Sequence, residues 1–245
     1  MRNLQWIKRV LLSIQRHTVL PIPKLRQVTG DDLGWSAIFL VLPALLAGGA
    51  MLLARYLVGL LVPYYVAVFI LMVGVEYGVS SLDQIRDMAH GDTESDRHFF
   101  WGSIAVLILP LAKIFLLAET AEYYFGVEMA GIILAAPIAG RIGWLTAAAT
   151  VDRHDRHTEP ELYQHISTGQ WSVGVVLLLI PLLFFFTLRA FFFVIPIFTL
   201  IFILAWILDK TAMAKRRIVG FCAEFAEVLF LLLLPVLMYL TERIL

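Results

Sequence analysis

The feature that most limits what this chain can fold into is an apolar run of 38 residues at 171–208, in which Arg189 is the only charged residue. The hydrocarbon core of a bilayer is crossed by about 20 helical residues. The run is therefore long enough to cross twice. Because Arg189 lies near its middle, we expect that residue at an interface, with spans at 171–188 and 190–208.

Five further apolar segments have the length of a membrane helix, at 36–54, 57–79, 99–118, 129–151 and 220–240. The chain is 60% hydrophobic and 16% charged, whereas soluble domains are roughly 45–50% apolar and 25% charged. The sequence therefore predicts an all-α fold. It is a single integral membrane domain over 1–245, a polytopic helix bundle with about seven transmembrane helices.

Lys and Arg positions predict the orientation of this bundle, because cytoplasmic loops carry an excess of both residues. With the N-terminus in the cytoplasm, 14 of these residues lie on the cytoplasmic side and three on the other. The cytoplasmic parts are then the N-terminal segment 1–33 and the loops 80–98, 152–170 and 209–219. Every long polar loop faces the cytoplasm in this arrangement.

Composition also excludes several classes of protein. The net charge is zero, which argues against a nucleic-acid partner. Cys222 is the only cysteine, so neither an internal disulfide nor a cysteine zinc cluster can form. The N-terminus has basic residues but no uninterrupted apolar stretch, and it does not resemble a removable signal peptide.

The first cytoplasmic loop contains a candidate metal site. Asp83, Asp87 and His90 follow the spacing i, i+4, i+7, which places them on one face if the helix of the second span continues. Asp92 could turn back toward the same point. Paired carboxylates can hold Mg²⁺ against the phosphates of a substrate. The alternative is a polar helix end whose acids are neutralised by neighbouring arginines.

The other two cytoplasmic loops carry residues suited to phosphate. His154 and His157 lie in the second loop and could share a ligand if that segment is helical, while Lys215 and Arg217 lie in the third. These side chains could bind metal or a phosphorylated substrate. The alternative is a solvated loop of mixed charge, with the third loop fixing topology and contacting anionic lipid.

Ionisable residues inside the predicted spans form a second group of candidates, because burying them in a membrane is expensive. They are Lys113, Arg141, Glu224 and Glu227, with Glu76 near the cytoplasmic end of the second span. One interpretation is internal pairing of Lys113 or Arg141 with Glu224 or Glu227. The other places Lys113 or Arg141 on a phosphate and one glutamate on a metal or as a base.

From about residue 10 to the C-terminus, the order of several segments resembles a known family. The segments are LLSIQRHTVLPIP, AIFLVLPALLAGGAML, LPLAKIFLLAE with Lys113, AGRIGWL with Arg141, and GFCAEFAEVLFLLLLP with Glu224 and Glu227. They resemble the cobalamin synthase family, adenosylcobinamide-GDP ribazoletransferase. That family has a metal-binding motif, His-Leu-Asp-Gly-x-x-Asp-x-x-Asp. The stretch SLDQIRDMAHG keeps Asp83 and Asp87 and departs from the motif at Ser81, Gln84 and His90.

The resemblance implies a transferase of the late corrinoid pathway, in the inner (cytoplasmic) membrane of a bacterium or archaeon. It would join adenosylcobinamide-GDP to α-ribazole and release GMP. The implied catalytic residues are Asp83, Asp87, Lys113 and Arg141. The implied metal, Mg²⁺ or Mn²⁺, would be held by Asp83 and Asp87, and the loop itself offers His90 and Asp92 as further ligands. The candidate substrate-binding residues, taken from the loops and spans together with the resemblance, are Arg141, His154, His157, Lys215, Arg217, Glu224 and Glu227.

Two alternatives of other classes stay open. The chain could be a catalytically degenerate relative that serves as a membrane binding or assembly protein, or a small transporter that uses its buried Lys, Arg and Glu. Expected partners are membrane lipid and the two substrates, the nucleotide-activated corrinoid and α-ribazole. A homo-oligomer, or a complex with corrinoid-pathway enzymes, is left open by the sequence.

Overall fold

Most of the residues that the structure describes are helical, and no strand occurs among them. The structure is a computed structural model that describes residues 2–23, 25, 27–59, 65–81, 96–151, 165–186, 190–211 and 215–244. The helices are α1 (Arg2–His17), α2 (Gly30–Ser36), α3 (Val41–Gly59), α4 (Tyr65–Glu76), α5 (Asp96–Tyr123), α6 (Gly126–Thr150), α7 (Thr168–Phe186), α8 (Ala190–Asp209) and α9 (Lys215–Ile244). A 3-10 turn, Ala37–Leu40, joins α2 to α3, and a π-helical segment, Tyr77–Ser81, extends α4. The predicted all-α class is confirmed for these residues.

Several helices have the length and composition of membrane spans. Within the described residues, four segments are long and apolar enough to cross a bilayer: Gly30–Val58, Gly126–Thr150, Thr168–Phe186 and Ile218–Pro235. Shorter apolar helices occupy Ala67–Val79 and Phe193–Asp209, where two further spans are predicted. These helices support an integral membrane protein. The count of seven spans and the cytoplasmic N-terminus stay predictions.

The first membrane helix begins earlier than hydropathy predicts. The apolar run starts at residue 36, but the helical segment starts at Gly30. Thr29 and Asp32 form a capping box, in which the Asp32 N–H donates to Thr29 Oγ1 at 3.2 Å and the Thr29 N–H donates to Asp32 Oδ2 at 3.3 Å. Reciprocal capping of this kind satisfies orphan donors at a helix start. A capping box depends on polar residues, so counting apolar residues does not detect it.

Helix α6 is the centre of the bundle. It packs against α3, α7, α8 and α9. Within an apolar stretch of 18 residues, 89% of α6 is buried, compared with 28% of the corresponding stretch of α7. Its sequence is rich in Ala and Gly. Small residues let membrane helices approach closely, because dispersion contacts replace the hydrophobic effect as the force between helices in lipid. The composition of α6 therefore explains its central position.

The closest approach to α6 is made by α9. A Cβ atom added at Gly143 would lie 2.7 Å from the carbonyl oxygen of Cys222 and closer still to the side chain of Ala226. Glycine at 143 is thus required by the distance between the two backbones. One turn earlier, Gly140 leaves room for the side chain of Glu227, whose Cγ would lie 2.6 Å from an added Cβ.

The outer surface of the bundle is apolar. Large exposed side chains occur on α5 at Leu111 and Phe115, on α7 at Phe184, and on α8 at Ile195 and Phe202. A soluble protein rarely exposes so many large apolar groups on neighbouring helices. Contact with lipid tails accounts for this surface without further partners.

The N-terminal helix α1 is amphipathic and packs against α2. Lys8 Nζ lies 2.6 Å from Asp32 Oδ2, and Arg9 Nη2 lies 2.8 Å from Asp31 Oδ2. On the inner side Leu12 is buried against the core of the bundle. These contacts fix α1 to the start of the first membrane helix and carry its last turn into the bundle.

Gly143→Ala is expected to lower the thermal stability of the purified protein in detergent. The added methyl group meets the α9 backbone and Ala226, and overpacking of this kind costs about 1–3 kcal/mol. Gly49→Ala is the matched control, because an added Cβ there has nothing within 4 Å. The control should keep or slightly raise the midpoint of unfolding, since Ala favours helix over Gly. Equal midpoints for the two variants would contradict the close packing of α6 on α9.

Candidate active site

Five buried ionisable side chains from four helices form what we call the charge cluster. Its members are Glu76 on α4, Lys113 on α5, Arg141 on α6, and Glu224 and Glu227 on α9. Each is nine-tenths buried or more. Charged groups in such surroundings need partners, because desolvation is not otherwise offset. Clusters of this kind inside a membrane protein mark functional sites by default.

Lys113 is the centre of the charge cluster. Its Nζ lies 3.0 Å from each carboxylate oxygen of Glu76 and 3.6 Å from Glu224 Oε2, and it also contacts Glu227 Oε2. The side chain of Lys113 is 0% exposed. One ammonium group therefore joins α4, α5 and α9. Of the pairings that the sequence left open, the structure has Lys113 with both Glu224 and Glu227, and Glu76 is a third partner.

Tyr77 completes the polar contacts on the α4 side. Its hydroxyl donates a hydrogen bond of 2.7 Å to Glu224 Oε2, and Lys113 Nζ lies 5.1 Å from the centre of its ring. Tyr77 is also the first residue of the π-helical segment, which ends at Ser81. Such segments occur frequently at functional sites. This one ends two residues before Asp83.

Arg141 differs from Lys113 because it forms no ion pair with any described carboxylate. It is 4% exposed, and Glu227, Glu224 and Glu76 act on its guanidinium only at longer range. A guanidinium presents its donors in a planar fork that matches a phosphate or carboxylate. Arg141 is therefore the member of the charge cluster whose donors are available to a ligand.

His17 is a residue near the cluster that sequence reasoning did not single out. Its ring packs edge-on against Trp144, with ring centres 5.2 Å apart. Trp144 lies three residues after Arg141, so the two share a face of α6. Burial, together with Arg141 and Arg16, holds the pKa of His17 well below its ordinary value of 6.5. Its Nε2 is buried and has no hydrogen-bond partner among the described residues.

The structure brings together four of the residues predicted from the sequence and leaves the others untested. Lys113, Arg141, Glu224 and Glu227 meet in the charge cluster. The predicted residues Asp83, Asp87, His90, Asp92, His154 and His157 lie outside the described residues. Lys215 and Arg217 lie in the first turn of α9, but their side chains are outside the description as well. Their roles stay predictions.

The described residues do not by themselves offer a metal site. No group of three His, Cys, Asp or Glu side chains among them is arranged to hold an ion. The three glutamates of the charge cluster converge on Lys113, whose ammonium occupies the point where a cation would bind. The metal ligands predicted from the sequence, Asp83, Asp87, His90 and Asp92, lie outside the described residues and stay a prediction.

Comparison with known proteins gives a family match over more than half of the chain. A family model described as CobS, cobalamin-5-phosphate synthase, matches residues 100–235. No curated protein and no solved structure gives a significant match. The matched range includes every member of the charge cluster except Glu76.

Replacing Lys113 by Met is expected to destabilise the protein strongly. The change leaves three buried carboxylates without their shared cation, and breaking a buried ion pair in this way costs about 3–5 kcal/mol. Lys8→Met is the matched control, because its pair with Asp32 is partly exposed and should contribute less than about 1 kcal/mol. Thermal unfolding in detergent measures both variants. A Lys113→Met protein no less stable than Lys8→Met would refute the central role of this lysine.

The stability of the protein should depend on pH through His17. Because its pKa is lowered in the folded state, the unfolded chain binds more protons below about pH 6.5, and the free energy of unfolding falls as the pH is lowered. One group contributes a slope of at most about 1.4 kcal/mol per pH unit. His17→Phe keeps the ring against Trp144 and should have a flatter profile between pH 5 and 7. Parallel profiles for wild type and variant would contradict this.

Proposed function

The chain belongs to the cobalamin-5-phosphate synthase family, and from this premise we propose that it transfers a corrinoid phosphate to α-ribazole. Membership of the family indicates a role in late cobalamin biosynthesis and corrinoid substrates. The proposed reaction joins adenosylcobinamide-GDP to α-ribazole and releases GMP. The family's description names a phosphorylated product, so α-ribazole bearing a terminal phosphate is an equally direct second substrate.

In the proposed reaction, a hydroxyl oxygen of α-ribazole bonds to the phosphorus nearest the corrinoid. The bond between that phosphorus and the bridging oxygen breaks, and this oxygen leaves as part of GMP. The hydroxyl loses its proton to a carboxylate base or to water. Catalysis of phosphoryl transfer consists mainly of positioning and charge stabilisation. The protein therefore has to hold two substrates in line and neutralise the oxygens around phosphorus.

The observation that carries the proposal is the available guanidinium of Arg141 inside a buried charge cluster. Arg141 has no carboxylate partner among the described side chains, while the neighbouring ammonium of Lys113 is saturated by three. We assign the Arg141 guanidinium to a phosphate oxygen of the substrate, where bidentate hydrogen bonds are strong. Lys113 then acts as a positioning residue that holds α4, α5 and α9 around it.

The remaining roles follow the predictions from the sequence. Asp83, Asp87, Asp92 and His90 are proposed to hold Mg²⁺ or Mn²⁺, which would neutralise charge on the pyrophosphate. Carboxylates suit Mg²⁺, whereas an imidazole ligand favours Mn²⁺ or Zn²⁺. The π-helical segment supports this placement, because it ends next to this set and starts with a contact to the charge cluster.

The basic loops and the membrane complete the proposed site. His154, His157, Lys215 and Arg217 are proposed to attract and hold the phosphates of the two substrates. In the predicted orientation these loops face the cytoplasm together with the end of α4. An active site at the cytoplasmic surface of an integral membrane protein would receive both substrates from the cytoplasm.

Release of GMP by the purified full-length protein tests the proposal. The assay supplies adenosylcobinamide-GDP with α-ribazole or its phosphate, in Mg²⁺ or Mn²⁺, and the expected result is GMP release that EDTA abolishes. Asp83→Ala should lower kcat roughly 100- to 1000-fold, as loss of a charge-stabilising group does elsewhere. Asp31→Ala is the control, because this carboxylate is largely exposed on α2 and should leave the rate unchanged.

Absence of GMP release with either metal and either acceptor would refute the enzymatic proposal. Retained binding of the corrinoid in that case would favour a non-catalytic binding protein. The observation behind this alternative is the departure from the aspartate motif at Ser81, Gln84 and His90. Equilibrium dialysis with the corrinoid distinguishes the two outcomes.

A further inference from the structure

Two buried side chains beside each other have hydrogen-bonding capacity that the described residues do not use. His17 is 7% exposed and Arg141 is 4% exposed. Among the described residues, the Nε2 of His17 has no hydrogen-bond partner, and Arg141 forms neither a side-chain hydrogen bond nor an ion pair. Buried polar groups are nearly always hydrogen-bonded, so an exception needs an explanation. A ligand that binds both groups is the simplest one.

Trp144 relates the position of the His17 ring to that of Arg141. It lies one turn after Arg141 on α6, and its ring is the surface against which the His17 ring stands edge-on, at an interplanar angle of 84°. Trp144 is itself buried. The imidazole from α1 therefore lies on the side of α6 that carries Trp144 and Arg141, close enough for the guanidinium to act electrostatically on it.

The chain that follows His17 contacts the helical segment that precedes the predicted aspartate motif in the sequence. The backbone N–H of Val19 donates to the carbonyl oxygen of Val79 at 2.9 Å. Val79 belongs to the π-helical segment, four residues before Asp83. The N-terminal segment is thus fixed to the base of the loop that carries the proposed metal ligands.

The chemistry of the pair selects an anion. A guanidinium has donors only, and a neutral imidazole can donate through one nitrogen. Burial and the nearby guanidinium keep His17 neutral in the absence of ligand, since the pKa of the imidazole is low. An oxyanion can accept hydrogen bonds from the guanidinium and from the imidazole at the same time, whereas a cation offers neither group an acceptor.

We propose that His17 and Arg141 form one anion site, which binds a phosphate group of the substrate. This inference rests on the proposed function for the identity of the substrate, but not for the existence of the site. Two substrate groups share the required chemistry, namely the pyrophosphate of the activated corrinoid and the terminal phosphate of phosphorylated α-ribazole. His17 lies outside the part of the chain that the family model matches.

Binding of inorganic pyrophosphate to the full-length protein, measured by calorimetry in detergent at pH 7.5, tests the anion site without any turnover. His17→Phe keeps the ring against Trp144 and removes the donor, so pyrophosphate affinity should fall about 10-fold or more, as expected for a hydrogen bond to a charged group. His17→Gln retains an N–H at a similar reach and should stay within about threefold of wild type. His165→Gln is the control, because this histidine also has an unpartnered Nε2 but lies against Gly30.

Two further arms identify the source of the phosphate. Affinities for α-ribazole and for its phosphate are compared in wild type and His17→Phe, and the same is done for adenosylcobinamide-GDP. A loss confined to phosphorylated α-ribazole assigns the site to that substrate, and a loss confined to the corrinoid assigns it to the pyrophosphate. Thermal unfolding of each variant shows that it is folded.

The outcomes separate this inference from the proposed function. Pyrophosphate binding that His17→Phe weakens and His17→Gln retains supports the anion site even if no GMP is released. Unchanged affinity for pyrophosphate and both substrates in a folded His17→Phe protein overturns it, even if the wild type is an active transferase. Equal losses in His17→Phe and His165→Gln would overturn it too, because they would indicate a general effect of replacing a histidine whose Nε2 is buried.

Discussion

The contact between the Lys113 ammonium and three carboxylates governs the arrangement of the other polar groups in this bundle. In a low-dielectric interior, none of the four charges is tolerated alone, so α4, α5 and α9 must assemble to the geometry that the ammonium imposes. Two consequences follow. Lys113 has no capacity left for a ligand, and Arg141 becomes the cation that remains available. A structural ion pair thereby determines which basic residue can serve the chemistry.

This arrangement depends on the small residues of α6. The side chain of Glu227 reaches Lys113 across a position where α6 carries Gly140, and any larger residue would displace the carboxylate. Packing and electrostatics are therefore coupled at one place. The close approach that dispersion contacts favour in lipid is also the approach that brings an acid of α9 to its cation. The polarity of the site and the apolar packing around it cannot be altered independently.

Much of the cluster could be predicted because charges within apolar runs are conspicuous. Lys113, Arg141, Glu224 and Glu227 stand out in this way. The sequence left open whether Lys113 or Arg141 pairs with these glutamates, and the structure pairs Lys113 with both. His17 could not be identified in this way, because it lies at the end of an amphipathic helix outside the apolar runs and becomes buried only when α1 packs on the bundle. Counting apolar residues along the chain likewise does not detect helix α1 or the capping box at Thr29, because an amphipathic helix and a helix cap both depend on polar residues. Which ammonium–carboxylate contacts form depends on helix register, which a single sequence does not fix.

The spacing of the cluster along the chain has a consequence for how the protein enters the membrane. Glu76 and Lys113 are 37 residues apart, whereas Tyr77 and its partner Glu224 are 147 residues apart. During synthesis, α4 and α5 can therefore leave the translocon as a hairpin whose internal charges are already matched. The last helix brings its two acids much later, to a lysine that is already in place. Biogenesis in this order never requires Lys113 to face lipid alone, and it makes the insertion of α9 depend on the helices that precede it.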